Sequence, residues 1–352
     1  LTLFPDRTRT GKLRGLSLPR LVRKPPVMTD VAKARWQLHF CVLLWAFTAI
    51  LGKLISLDAV KLVWWRLLIV VACLFVLPGV WRALRRTPRR LVAIFAGIGV
   101  LVTLHWLTFY GAIKLANASV AVTCLAVAPA FLSVIEPWIA QRPFDWRELA
   151  LGLAVVPGVV LVVGGVPDDM RLGVLVGITS ALFVAFFIAL NKRHAERADS
   201  LLVTGLELGA GLVLIAAAAP FLPGGFASLM VPPTGLDVLW IGVLALACTL
   251  LPFTLSLVAL RRISAFGAQL TINLEPIYTI VFAALIFNEQ RELGPRFYLG
   301  VLVVLSAVFL HPLLARRPEL IAPDAIASDT TDAVADKAGA SQVCALEPDR
   351  KG

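Results

Sequence analysis

Charge is what this sequence has little of. Asp, Glu, Lys and Arg together make up 16% of its 352 residues, where soluble domains carry about a quarter. Hydrophobic residues reach 59% and the mean hydropathy is +0.86, a balance that excludes an ordinary soluble protein. Histidine is rarer still, with four residues and none near another. The cysteines Cys41, Cys73, Cys124, Cys248 and Cys344 stand singly, with no CxxC and no Cys/His cluster, which excludes the usual zinc and dithiol redox sites. The phosphate loop GxxxxGK[ST], the nucleophile elbow GxSxG and the HExxH helix are missing too. No enzyme, cofactor or bound metal is therefore expected.

What the sequence does have is long apolar runs, about ten of them, each able to cross a hydrocarbon core of roughly 30 Å as a helix. They predict an all-α integral membrane protein with spans near 37–56, 60–80, 91–113, 118–140, 149–166, 172–191, 200–219, 235–260, 264–287 and 296–315. The formal charge of +11 is not a nucleic-acid signal, because the basic residues gather in alternate short connections. One set of connections holds Arg82, Arg85, Arg86, Arg89, Arg90, Arg142, Arg147, Lys192, Arg193, Arg197, Arg261, Arg262, Arg316 and Arg317; the other holds Lys53, Lys61, Lys114, Arg171, Arg291 and Arg296. Fourteen against six places both termini in the cytoplasm of a cell with this protein in its inner (plasma) membrane. Residues 1–36 read as a basic, disordered lead whose true start is either Leu1 or Met28, and residues 316–352, rich in Ala, Asp and Ser, as a disordered cytoplasmic tail.

The chain also echoes itself. Ala112, Ala118, Ala121, Pro129, Val134 and Ile139 return 147 residues later as Ala259, Ala265, Ala268, Pro276, Val281 and Ile286. After a one-residue slip, Leu151, Gly152, Val155, Val156 and Val160 return as Leu299, Gly300, Val303, Val304 and Val308. Ten spans and this offset give two five-helix repeats, 37–166 and 172–315, and an odd number of spans per repeat makes them inverted. Lys114 and its counterpart Arg261 fall on opposite sides accordingly. Such duplication is the architecture of carriers that open alternately to either side.

The opening LLWAFTAILGK, the WWRLL around Arg66, the repeated A-x5-A-x2-A-x7-P and the segment FNEQRELGPRFYLG together resemble the EamA-type branch of the drug/metabolite transporter superfamily over about residues 37–315. The resemblance implies ten helices in two inverted repeats and export of amino acids or other small metabolites. It also implies a Glu at the membrane surface after the fourth helix of each repeat. Glu289 fits; its first-half equivalent is Arg142. The function expected is thus secondary transport of a small metabolite or amino-acid-like solute out of the cell, with protons as a further partner. The rivals are a passive channel or facilitator and a polytopic enzyme acting on a lipid, which would need clustered His, Asp or Glu at a membrane face. The partners are the solute and the bilayer, not nucleic acid, and the chain is a monomer or a homodimer.

Ionisable side chains inside spans are costly and face a bundle interior or a wet cavity. Glu275, in the polar run TINLEP, leads the candidates, with Thr271 and Asn273 beside it and Pro276 freeing the carbonyl of residue 272. Its carboxylate either carries a proton or bonds a neighbouring helix at a structural kink; Pro129 is the matching kink of the first half. Glu136, beside Pro137, either serves the pathway or snorkels to the interface. Arg66 either binds a substrate carboxylate or pairs with Glu207 across the axis between the halves. His105 is suited to proton relay, and Trp106 and Trp45 line a cavity or pack in the core. Tyr110 shares a helix face with Trp106 and Thr103, where an interfacial aromatic belt is the alternative.

Overall fold

The computed structural model describes the backbone of residues 30–194 and 196–314, with side chains as far as residue 307. Expectations for the start at Met28 and for the tail after 315 lie outside these residues. Within them the structure is helical, without a strand. The first half comprises α1 (Asp30–Leu54), α2 (Ala59–Phe75), α3 (Pro78–Arg86), α4 (Arg89–Leu115), α5 (Ala118–Leu125), α6 (Ala128–Ala140), α7 (Trp146–Leu153) and α8 (Val156–Gly164). The second comprises α9 (Arg171–His194), α10 (Ser200–Ala218), α11 (Gly225–Met230), α12 (Leu236–Ala245), α13 (Leu251–Leu260), α14 (Ala265–Ile272), α15 (Glu275–Phe287) and α16 (Pro295–Leu314).

Eight helical segments among the described residues are long and apolar enough to cross a membrane, and a ninth forms if α2 and α3 are taken together. The ten expected from sequence are not reached. The second span, expected to run unbroken to residue 80, stops at Phe75, and α3 leaves it at 84°. Pro78 opens α3 and holds the preceding Leu77 extended, the conformation favoured before a proline. The arginines of α3 gain from lying along a polar surface instead of continuing into lipid. At the other end α1 begins at Asp30, seven residues ahead of the expected 37, with that acid in its first turn, where the helix dipole favours it.

Two spans are broken at matched points. The helix stops at Ala126–Val127 between α5 and α6 and at Asn273–Leu274 between α14 and α15, positions 147 apart. Pro129 and Pro276 follow, each lacking the N–H that would continue the ladder. The breaks meet: the side-chain amide of Asn273 donates to the Ala126 carbonyl at 3.2 Å. Lys114 and Arg261 are matched in role as well as in sequence. Lys114 donates to the Ile55 carbonyl in the α1–α2 link, and Arg261 to the Ala198 carbonyl in the α9–α10 link.

The halves share their cores. Leu62, Val70, Phe95 and Tyr110 pack in one cluster with Leu208, Leu244 and Phe253, and Leu38, Leu132 and Ile135 pack in another with Ile188, Leu260 and Phe266. One close crossing joins α8 to α16, where a Cβ on Gly158 would stand 2.8 Å from the Gly300 carbonyl oxygen. Only glycine lets these backbones touch.

Candidate functional site

Between the halves lies a cavity walled by α1, α2, α4, α9, α13, α14 and α15, leaving about 80 Å³ for the centres of water-sized molecules. Its lining includes Trp45, Thr48, Arg66, His105, Trp106, Phe109, Phe187, Phe253, Gln269 and Glu275. A water needs roughly 10–15 Å³ on this measure, so several waters or a small solute group fit without any side chain moving.

Arg66 sets the electrostatics of this space. Its guanidinium is 1% exposed, and no carboxylate stands within ion-pair distance of it among the described residues. Nε donates to the Thr249 hydroxyl at 2.5 Å and Nη1 to the Tyr110 hydroxyl at 2.8 Å. The charge lies 3.7 Å from the centre of the Trp106 ring, a cation–π contact worth about 2 kcal/mol when shielded from water. Thr249 is available because the helix loosens into a single π turn at Leu246–Leu250. Pro252 follows and lacks the N–H that would bond the residue 248 carbonyl. The Thr249 hydroxyl donates back to the Leu244 carbonyl at 2.5 Å and so presents a lone pair to Arg66.

Other polar atoms on the cavity wall lack partners. The Glu275 carboxylate makes no hydrogen bond among the described residues, although the side chain is 6% exposed, and it lies within electrostatic reach of Arg66. Thr48 Oγ1 and Gln269 Oε1 are buried and unbonded. His105, by contrast, is tied by Nδ1 to the Ser180 hydroxyl at 2.8 Å and lies against Phe109. A fixed cation, a free carboxylate, unfilled hydrogen-bonding groups and an aromatic wall can take up a small amphipathic solute.

The sequence profile of the EamA-like transporter family matches residues 37–164 and again 171–311. The chain belongs to that family. It is therefore a multi-pass membrane transporter of the drug/metabolite type, built from two repeats. No curated protein matches it. A solved structure described only as "Crystal structure of protein" is 18% identical, covers 81% of this chain and 99% of its own, and superposes with a TM-score of 0.60; that likeness concerns the fold alone.

Of the residues singled out by sequence, the transporter gathers Trp45, Arg66, His105, Trp106 and Glu275 on one cavity. Four others stand apart. Thr271 bonds the Gly267 carbonyl of its own helix, and the break at Asn273–Leu274 separates that helix from Glu275. Asn273 bridges to Ala126 and accepts from Gln269 Nε2 at 3.1 Å. Glu207 does not pair with Arg66. It faces α9, where one oxygen accepts from Asn191 Nδ2 at 3.3 Å and the other has no partner, while Arg66 is already committed to Thr249 and Tyr110.

Glu136 does not snorkel. It is 2% exposed and accepts from the backbone N–H groups of Ala265 and Phe266, at 3.2 and 2.9 Å, and from Arg142 at 3.3 Å. Glu289, expected at the membrane surface, is 0% exposed and accepts from the Ala118 and Ser119 N–H groups, the Ser119 hydroxyl and Lys53. Tyr110 is no belt residue, being fully buried against Gly52 and Arg66. Thr249 and Phe253 were missed; the Pro252 between them was the available signal, as Pro276 was for Glu275.

Proposed function

We propose that this transporter is a secondary carrier that exports a small metabolite or amino-acid-like solute across the inner membrane by alternating access. Its ten spans form two inverted five-helix repeats, with both termini cytoplasmic and with α2 and α16 completing the count. The observation that carries the reading is Arg66: a fully buried guanidinium with no acidic partner among the described residues is a strong reason for an anionic ligand. Its unused N–H donors suit a carboxylate, and Phe109, Phe187, Phe253 and Trp45 offer the solute's apolar body a wall. Glu275 is the complementary group, taking either the solute's amine or a coupling proton.

Metabolites in the medium of overexpressing and deletion cells identify the solute, and proteoliposomes loaded with it then test exchange. A carrier drives labelled solute inward against unlabelled solute leaving; a channel shows no such counterflow. Arg66→Gln should abolish saturable exchange. Proton coupling predicts that Glu275→Gln flattens the pH dependence of flux, and an unchanged profile refutes it. If no solute changes in either direction across a broad panel, export is wrong.

A further inference from the structure

Two buried carboxylates outside the cavity, Glu289 and Glu136, do the same thing at opposite ends of the molecule. α5 and α14 begin at matched positions: the caps Asn117 and Ser264 are 147 residues apart, and they hold the N–H groups of Val120 and Gly267 at 2.9 and 3.0 Å. Capping leaves the first N–H groups of each helix without an intrahelical partner. In both helices these are taken by a glutamate from the other half: Glu289 on Ala118 and Ser119, Glu136 on Ala265 and Phe266. Each glutamate carries a basic companion, Lys53 at 2.8 Å and Arg142 at 3.3 Å. The symmetry is of function and not of sequence, since the position matched to Glu289 is Arg142. Glu136, six residues earlier, reaches the partner helix, and Arg142 turns back as its counter-charge.

We infer that Glu289 and Glu136 are paired gate residues, each clasping the first turn of the opposite half's fourth span and thereby closing one end of the cavity. The inference rests on the alternating-access reading. A carboxylate on a helix N-terminus is stabilised by the orphan N–H groups and the helix dipole. Separating it from them is tolerable only where water enters to replace both sides of the contact. Opening an end and breaking its clasp are thus one event. Because both clasps join the same two bodies at opposite ends, rocking one half against the other releases one while retaining the other. By the proposed topology Glu289 closes the outer end and Glu136 the cytoplasmic end.

The test uses Ser256→Cys, a reporter on the cavity wall, in the full-length protein. Right-side-out and inside-out vesicles are treated with a membrane-impermeant maleimide, and tandem mass spectrometry places the adduct on residue 256 itself, which distinguishes it from the native Cys248 on the same stretch of chain. Glu289→Gln should raise labelling from the outer face roughly fivefold or more, the population shift from losing one charge-assisted hydrogen bond, and lower it from the cytoplasmic face. Glu136→Gln should do the reverse. Lys53→Met and Arg142→Gln, which remove the companions alone, should move labelling the same way as their own glutamates and substitute for either variant that fails to fold. Any other pattern overturns the gates, including unchanged labelling or an equal rise from both faces. Counterflow in the same vesicles separates the two ideas. Shifted labelling without exchange leaves the gates standing and the carrier reading lost; exchange with unshifted labelling does the opposite.

Discussion

Arg66→Lys keeps the positive charge and removes the geometry, which makes it the sharpest test of what the buried guanidinium does. Two of its five N–H donors are committed, Nε to Thr249 and one of Nη1 to Tyr110, leaving three for a ligand. A lysine ammonium is a point donor on a flexible stem; it retains the attraction for an anion but not a planar edge that meets both oxygens of a carboxylate. It also forfeits the face-on contact with Trp106 at 3.7 Å. Losing one charge-assisted hydrogen bond costs about 1.5–3 kcal/mol, or roughly 10–150-fold in affinity. Saturation of counterflow by the identified solute should show this as a raised half-saturation concentration with the maximal rate much less affected. Tyr110→Phe, which removes only the hydroxyl that steadies Nη1, should fall in the same direction by less. If Arg66→Lys is folded and its half-saturation is within about twofold of the parent, Arg66 is not the carboxylate anchor.

Glu207 lies outside the cavity, so Glu207→Gln should leave that half-saturation unchanged within about twofold; a tenfold rise would return Glu207 to the pathway. Gly158→Ala places a methyl 2.8 Å from the Gly300 carbonyl oxygen. Overpacking of this kind costs about 1–3 kcal/mol, so thermal unfolding in detergent should start at lower temperature, whereas Gly97→Ala, with open space around it, should not shift it. Asn273→Ala strips a partner from the Ala126 carbonyl and another from Gln269. Each buried group left unpaired costs about 1–3 kcal/mol, and a variant as heat-stable as the parent would show that the contact between the helix breaks is dispensable.

Periodicity and hydropathy made the helices legible, since a membrane demands about 20 apolar residues from each span regardless of tertiary detail. The 147-residue echo went further than composition. Its matched residues mark equivalent helix starts at Ala118 and Ala265 and equivalent breaks before Pro129 and Pro276. What hydropathy alone did not reveal was the turn after Phe75, because Val76, Leu77 and Val80 extend the apolar run while the arginines beyond them decide where it stops. The cavity was legible as far as ionisable groups in apolar helices are conspicuous, which brought out Arg66, His105 and Glu275. Partner choice was not. Arg66 and Glu207 are the natural pair on charge alone, but the π turn at Leu246–Leu250 offers a nearer oxygen, and no sequence period announces a π turn.

The same limit explains why the clasps stayed hidden. Repeat comparison asks which residues correspond, and by that measure Glu289 has lost its partner to Arg142. Geometry asks which atoms must be satisfied. Duplication fixes two equivalent helix starts, each with orphan N–H groups in a dry place, and that demand persists whichever residue meets it. A carboxylate one position along the helix ladder is as serviceable as another if it reaches the same two donors, and Glu136 does so with the displaced arginine at its side. The position of Glu275 on the cavity wall obeys no such demand. Its matched place is taken by Ala128, buried in the core; on the proposed reading the solute needs one carboxylate in the cavity, while closing both ends needs one at each.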